Sequence, residues 1–452
     1  MQFTITINPT PQVNAVANQI YCAGSTVPSI VFTGNATGAT YSWSRTVPTP
    51  DIGLAPTAGT GSIPSFTATN TGTTPITSTF SVVATFTNNG VTCTGAPITF
   101  TITINPTPQV NAVTSQTYCA GAVVPSIVFA GNVPGAVYSW SRTTEAIGLG
   151  VNSGTASVPS FTATNTGATP LTSTFTVTPS YTNGGLTCTG TPITFTITVN
   201  PVPTINAVAN LTYCAGSTVP SVVFTSNVPG VVFNWSRTAA AIGLAPTTGT
   251  GSVPTYVATN AGSTPISSTF TATASYTNNG VTCTSAPITF TITVNPTPVI
   301  APVPNQTYCA SGNIPPTFFT SNVPAAVYTW SRSGDDIGLG PVSGTGPIPS
   351  FVGVNNTTGP LTATFTVVAT YSNNGVTCTS APIQFTITIC YALHVTVQGD
   401  AYVCPGEIET YFIDNYNPNS TYTWTLQNGG GVITADNGSS ITVDWQDTPG
   451  GP

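Results

Sequence analysis

The chain has 452 residues, of which 40% are hydrophobic and only 3% are charged, against roughly 25% charged residues in an average soluble domain. There is no lysine, and before residue 390 four arginines balance four acidic residues, so the whole formal charge of −7 lies in the segment 390–452. A neutral surface does not neutralise phosphates, which argues against nucleic acid or an anionic membrane surface as a partner. The hydrophobic content is enough for several packed cores.

The chain opens inside a motif that returns later. Phe3–Pro11 reads FTITINPTP, and Met1 stands where other copies have an isoleucine that enters a strand. We therefore expect residues 1–8 to be the last strand of a preceding repeat, at the edge of a fragment whose export signals and anchors lie outside it. No segment is apolar for long enough to span a bilayer, so no membrane insertion is expected in this fragment.

A repeat of about 95 residues dominates the sequence. The stretch Asn88–Pro108, NNGVTCTGAPITFTITINPTP, returns at Asn183–Pro203 and Asn278–Pro298, and again from Asn373 until Cys390 breaks it. Within it apolar residues alternate with threonines, which is typical of a strand with one buried face. Asn88-Asn89-Gly90 is a turn signal. This period exceeds that of solenoid repeats and fits free-standing β-sandwich domains.

The landmarks predict an all-β fold, a tandem array of sandwich domains. The expected division is a last strand of a preceding repeat, four complete repeats and a divergent domain that is incomplete at its C-terminal end: 1–8, 9–105, 106–200, 201–295, 296–390 and 391–452. Joints such as Asn105–Pro108 are short and proline-stiffened, which favours an extended rod. Four domains end to end would measure roughly 150 Å.

Of the ten cysteines, eight occur two per repeat at a nearly fixed span and form a disulfide pattern. We expect bridges inside each repeat, namely Cys22–Cys93, Cys119–Cys188, Cys214–Cys283 and Cys309–Cys378. The alternative is buried free thiols, while metal binding lacks the necessary clusters of Cys or His. Cys390 and Cys404 are uncertain, because Cys404 either stays free or pairs with Cys390. Disulfides indicate an oxidising, extracytoplasmic location.

Several motifs together resemble a known group of repeats. Each unit runs Tyr-Cys-Ala, then an aromatic-x-Trp, then the TNNGxxC-like turn and the ITFTITINP-like strand; the tail reads YVCPGE, TYTWTL and ITVDW. They resemble the PKD-like, Ig-like repeats of giant Bacteroidota cell-surface proteins, including SprB-type gliding adhesins exported by type 9 secretion. The resemblance implies Ig-like sandwiches at the cell surface with a part in attachment or gliding. It supplies no catalytic or cofactor-binding residues.

Few residues are candidates for chemistry. His394 is the single histidine, so a repeated Ser-His-Asp site is impossible, and we interpret it as a surface residue. Asp335-Asp336 is the one acidic pair of the repeats, and a calcium site there is disfavoured because calcium gathers several carboxylates. In the tail, Asp436, Asp444 and Asp447 match no known loop spacing. We expect no catalysis, no cofactor and no metal.

A Trp-Ser-Arg motif occurs once in every repeat. One interpretation is that the arginine grips an anionic or sugar ligand beside an aromatic ring. The favoured interpretation is structural, with the tryptophan packed on the disulfide and the arginine bonding loop carbonyls. The residues are Trp43, Trp140, Trp235 and Trp330, with Arg45, Arg142, Arg237 and Arg332.

The sequence therefore predicts a mechanical and adhesive role, as the shaft of a secreted cell-surface adhesin or filament. Expected partners are surface glycans or other cell-surface proteins, with self-association possible. Two other classes stay open. Spacer modules of a large secreted enzyme would accompany a catalytic domain, and a carbohydrate-binding module would show an exposed aromatic strip.

Overall fold

A computed structural model of the chain describes residues 1–48, 50–391, 395–418, 420–427 and 431–446. All regular elements in these ranges are β-strands, which confirms the predicted all-β array of Ig-like, PKD-like sandwich domains. The part of the chain that is described contains no helix long and apolar enough to cross a membrane.

We call residues 9–105, 106–200, 201–295 and 296–390 units 1 to 4; these boundaries stay a prediction. Unit 1 contains eight strands: β1 Gln19–Cys22, β2 Thr26–Val27, β3 Thr40–Arg45, β4 Ala58–Thr60, β5 Phe66–Thr67, β6 Ile76–Asn88, β7 Val91–Thr94 and β8 Ile98–Asn105. The main sheet has the order β1-β8-β6-β3-β4, with β7 paired to the end of β6. The short pair β2–β5 belongs to the opposite layer.

Units 2 to 4 repeat this arrangement with small variations. The strands of unit 2 are β9 Gln116–Cys119, β10 Val123–Val124, β11 Ile127–Val128, β12 Val137–Arg142, β13 Ser153–Thr155, β14 Ser157–Val158, β15 Phe161–Thr162, β16 Leu171–Asn183, β17 Leu186–Thr189 and β18 Ile193–Asn200. Those of unit 3 are β19 Leu211–Cys214, β20 Thr218–Val219, β21 Val232–Arg237, β22 Thr248–Thr250, β23 Tyr256–Val257, β24 Ile266–Asn278, β25 Val281–Thr284 and β26 Ile288–Asn295. Those of unit 4 are β27 Gln306–Cys309, β28 Asn313–Ile314, β29 Val327–Gly334, β30 Ser343–Thr345, β31 Phe351–Val352, β32 Leu361–Asn373, β33 Val376–Thr379 and β34 Ile383–Cys390.

The tail forms a separate small sheet and the leading segment forms no strand. The tail strands are β35 Val397–Gln398, β36 Glu407–Ile413, β37 Val432–Asp436 and β38 Ser440–Trp445, in the order β35-β36-β38-β37. In residues 1–8, Phe3, Ile5 and Ile7 are exposed. The matching side chains in unit 1 are Phe100, Ile102 and Ile104, all buried.

The alternation of the last strand builds the core of each unit. In β8 the side chains of Ile102 and Ile104 are fully buried, while Thr103 between them pairs with Thr77 on the neighbouring strand. Phe80 on β6 stacks on Phe100 with ring centroids 5.1 Å apart, and the corresponding distances in units 2 to 4 are 4.9, 5.0 and 5.4 Å. Aromatic pairs of this kind add to the burial of apolar area.

The first strand of each unit runs parallel to its last strand. β1 pairs with β8 in a register that sets Cys22 beside Asn105. β6 is antiparallel to β8, with Ile76 opposite Ile104, and its far end carries β7, where Phe86 faces Cys93. The two cysteines of one unit therefore lie at opposite ends of the same sheet.

Ala156 is the first position we expect to respond to mutation. It has a φ of +70°, whereas Gly61, Gly251 and Gly346 occupy this turn in the other units. A side chain in this conformation costs about 1 kcal/mol or more, so Ala156→Gly should stabilise unit 2 by about 1 kcal/mol. Hydrogen-exchange protection of unit 2 peptides in urea measures it. Gly251→Ala should lower the stability of unit 3. Equal hydrogen-exchange protection in both variants and the wild type would contradict the prediction.

Tyr256 is a second test position, because units 1, 2 and 4 have phenylalanine there: Phe66, Phe161 and Phe351. Its buried hydroxyl has no hydrogen-bond partner among the described residues, and burial raises its pKa to about 12. The unfolded chain releases this proton near pH 10.0 while the folded chain holds it, so stability falls between pH 10.0 and about 12. Tyr256→Phe should remove that alkaline loss and stabilise unit 3 by about 1 kcal/mol at neutral pH. Urea midpoints at pH 7 and pH 11 check it, and an unchanged pH dependence would count against it.

Candidate functional site: the joints between units

The disulfides of this structure connect neighbouring units. Cys22 is bonded to Cys188, Cys119 to Cys283 and Cys214 to Cys378, with Cα–Cα distances of 5.5, 5.6 and 5.5 Å. In each case the first cysteine of one unit meets the second cysteine of the next. We call this contact a joint, made by the first cysteine and last asparagine of one unit with the turn and second cysteine of the following unit.

The predicted bridges inside the units are wrong, and strand direction gives the reason. Cys22 lies level with the start of β6, whereas Cys93 faces Phe86 near the far end of that strand. At ~3.3 Å per residue the two are about 33 Å apart, and a disulfide needs Cα atoms within about 7 Å. The last strand leaves a unit at the Cys22 end, so the next unit brings Cys188 there.

Four cysteines carry no disulfide in the described residues: Cys93, Cys309, Cys390 and Cys404. Cys93 and Cys309, expected to be bridged, belong to the outer ends of units 1 and 4. Cys390 replaces the joint asparagine and pairs in register with Cys309, so the two lie side by side on parallel strands. No bridge joins Cys390 to Cys404, which is exposed. A cavity of about 500 Å³ lies at this end of unit 4, lined by Ala310, Ser311 and residues 352–357.

An asparagine pair accompanies every bridge. At the first joint the Asn183 side-chain amide donates to Asn105 Oδ1 at 2.9 Å, and the Asn105 amide donates to the Asn183 carbonyl at 3.2 Å. Asn105 is fully buried. The pair recurs as Asn278–Asn200 and Asn373–Asn295, both at 2.9 Å. A buried amide is stable only when it is hydrogen-bonded, so these pairs fix how neighbouring units dock.

The leading segment supplies the same contact to unit 1. The Asn88 amide donates to Asn8 Oδ1 at 3.0 Å, and the Asn8 amide reaches the carbonyl of Asn88 at 3.4 Å. Asn8 therefore occupies the position of a last-strand asparagine.

Residues facing each other across a joint are matched in size. Gly184 of unit 2 packs against Ile20, whose Cδ1 would clash with a Cβ added to the glycine. At the next joint threonine replaces the isoleucine, and Asn279 replaces the glycine and donates to Thr117 Oγ1 at 3.4 Å. A glycine faces the large isoleucine at the first joint and an asparagine faces the smaller threonine at the second, which indicates close packing at both.

The Trp-Ser-Arg tryptophans do not pack on the disulfides as expected. Trp43 lies 6.1 Å from Phe80 between ring centroids, inside the unit, whereas the bridges lie in the joints. Its ring also covers Gly59, where an added Cβ would come within 2.7 Å of the indole. A glycine faces the tryptophan in the same way in units 2 to 4: Gly154, Gly249 and Gly344. The motif is a packing unit of the sandwich interior.

The motif's arginines bond the adjoining loops. In unit 1 the buried Arg45 side chain donates to Asp51 at 3.0 Å through both terminal nitrogens, and to the carbonyls of Pro56 and Leu54. Arg142 donates to the carbonyls of Glu145 and Leu149 at 2.8 and 2.5 Å, and burial lowers its pKa although Glu145 opposes this. With these donors engaged, the guanidinium groups of Arg45 and Arg142 are poorly placed to grip a ligand.

The acidic candidates are engaged in local contacts. Asp335 accepts from the Thr362 N–H at 2.7 Å, whereas Asp336 accepts from Gly338 N–H and lies 3.4 Å from Arg332. These carboxylates do not converge, and no group of three metal-binding side chains occurs among the described residues. Asp436 caps the turn at Gly438. His394 and Asp447 lie outside the described residues.

Comparison with known proteins supports the type of fold. The family model described as "PKD-like domain" matches residues 116–203, which is most of unit 2. No curated protein matches the sequence. The match covers one of the four units, and the other three share its strand order.

Several solved structures are similar to this chain at low sequence identity. They include the human desmocollin-1 ectodomain, at 13% identity over 94% of this chain and 93% of that chain with a TM-score of 0.25. The EC22–24 segment of mouse cadherin-23 has 10% identity over 64% of this chain and 100% of that chain, with a TM-score of 0.31. Sidekick-1 immunoglobulin domains 1–4 have 13% identity over 85% of this chain and 99% of that chain, with a TM-score of 0.26. No functional inference rests on similarity this low.

The pairing across joints is testable with trypsin, which cleaves only after arginine here because the chain has no lysine. With free thiols blocked and no reductant, the digest should give two disulfide-linked sets. One set contains the first, third and fifth peptides, and the other contains the second and fourth peptides. Bridges inside the units would link all five into one set. Mass spectrometry before and after reduction distinguishes the two results. The peptides are 1–45, 46–142, 143–237, 238–332 and 333–452.

Proposed function

We propose that this chain is a structural, non-catalytic stretch of the shaft of a secreted cell-surface adhesin or adhesive filament, acting in surface attachment and gliding motility. The observation that supports it most directly is the joint, where a disulfide and a buried asparagine pair recur between successive units. Such joints hold units at fixed spacing and orientation. A fixed spacing between units sets how far the array extends from a surface. For that role the number of units matters more than the identity of each.

The setting of this role is extracellular. Three disulfides in one chain indicate an oxidising compartment. Units 1 to 4 taken together carry no net charge, so little charge repulsion opposes lateral contact between shafts. Exposed valines at the same position of units 1 to 3, with Phe318 in unit 4, give each unit a small apolar spot: Val31, Val128 and Val223. Partners of the shaft would therefore be other cell-surface proteins or copies of itself, with surface glycans as the ligand of the whole adhesin.

The rival functions have less support. Phe318 is the one exposed aromatic side chain among the described residues of units 1 to 4, so no aromatic strip favours a carbohydrate-binding module. A spacer in a secreted enzyme would share the joints. Its distinguishing feature would be a catalytic domain elsewhere in the parent protein.

An in-frame deletion tests the proposal. Removing residues 106–295 from the parent gene joins Asn105 to Pro296 and brings Cys22 to Cys378, so a normal joint is rebuilt in a shorter shaft. Attachment to a surface under flow and gliding speed should fall in this strain and fall further when the whole gene is deleted. Export measured by surface labelling controls for loss of secretion. Normal attachment and motility in both strains, with loss of an extracellular hydrolase activity in the gene deletion, would support the spacer function instead.

A further inference from the structure

The bridges across the joints determine how far the chain can be pulled out. Each second cysteine is followed, after a short and constant interval, by the first cysteine of the next unit, as Cys188 is by Cys214. From Cys22 the shortest covalent path crosses a bridge to Cys188, follows the segment 188–214 and crosses a second bridge to Cys378. The other residues of units 2 and 3 lie in closed loops beside this path.

The length of this path is close to the length of the folded units that it spans. At about 3.5 Å per residue, the segment 188–214 reaches about 90 Å when fully extended. The path runs from the first joint to the third and so spans units 2 and 3. The long strand of unit 2 has 13 residues and measures about 43 Å, so two units measure about 86 Å. Almost no slack is left in the path.

Much of the path is already extended in the folded chain. It contains all of β18, Ile193–Asn200, and all of β19, Leu211–Cys214. Between them lies the joint segment, which includes Pro201 and Pro203. Extended strands and proline-rich segments have little length to release under tension.

A second path alternates with the first. The bridge Cys119–Cys283 belongs to it, preceded by the segment 93–119 and followed by the segment 283–309. The segment 378–404 has the same length as these two and continues the first path into the tail, where Cys404 carries no bridge. The bridges of the first and third joints thus belong to one covalent path, and the bridge of the second joint belongs to another.

We propose that the array is a nearly inextensible tether, in which tension passes along the bridged paths and the β-sandwiches do not unfold to lengthen the chain. This force-bearing function goes beyond adhesion, because it rests on the connectivity of the bridges and not on what the parent protein binds. A load applied to one end would reach the other without the lengthening that tandem domains without such bridges show when they unfold.

The test is to stretch the full chain, held by its two termini, in a single-molecule force experiment. With the bridges intact, the load-bearing path consists of residues 1–22, 188–214 and 378–452, so the end-to-end length should not exceed about 430 Å. After reduction with a phosphine all 452 residues bear load, and the chain should reach about 1,600 Å in steps of about 290 Å per unit.

Two variants with the same chemistry separate the tether from a general effect of disulfides. Cys119→Ser/Cys283→Ser removes a bridge that the shortest path does not use, so the limit should stay at about 430 Å. Cys22→Ser/Cys188→Ser removes a bridge that it does use. The shortest path then follows residues 1–119, 214–283 and 378–452, and the limit should rise about twofold to roughly 920 Å.

Three outcomes would overturn the proposal: unfolding steps of about 290 Å in the unreduced wild type, equal lengthening in both variants, or a tryptic pattern without cross-joint pairs. The non-reducing digest of each variant shows which bridges it retains, so a mispaired variant is recognised. The force experiment and the attachment assay test different proposals. A chain that has no part in attachment can still show the length limit expected of a tether.

Discussion

The parallel pairing of the first strand with the last strand is the constraint on which the array depends. It sets Cys22 beside Asn105, at the end where the chain leaves the unit. The long antiparallel strand β6 carries the other cysteine to the opposite end, about 33 Å away. Neither cysteine can reach the other within a unit, and each is placed to meet a neighbour. The disulfides of this array consequently join domains, where those of an Ig-like sandwich commonly staple the two sheets of one domain.

Bridge and asparagine pair make different contributions to a joint. The bridge is covalent and insensitive to small rotations, so it determines connectivity. The asparagine pair is buried and directional, so it determines the angle at which one unit sits on the next. An unpaired buried amide costs roughly 1–3 kcal/mol, which penalises any docking that separates the two side chains. Together they convert a string of sandwich domains into a continuous shaft.

Local patterns were enough to predict the strands but not the bridges. The alternation in Ile98–Asn105 predicts a half-buried strand, and the phenylalanines and isoleucines that it places inward form the core. Cysteine spacing within a unit does not reveal strand direction, and β1 pairs with β8 at the far end of the unit's sequence. One signal was present in the sequence. The interval across a joint, as from Cys93 to Cys119, is identical four times, whereas the interval within a unit is longer in unit 1 than in the others.

The end of unit 4 has neither component of a joint among the described residues, since Cys309 carries no bridge and Cys390 stands in place of the asparagine. Cys390 replaces the asparagine there, so no amide pair can form with the domain that follows, while Cys404 keeps the constant interval of the bridged path. The backbone contact is retained, since Ala310 N–H donates to the Cys390 carbonyl at 3.2 Å much as Ala23 N–H does to Asn105 at 3.0 Å. What changes is the side chain that would orient the neighbour. The bridge and the asparagine pair that connect units 1 to 4 are therefore not repeated between unit 4 and the described residues of the tail.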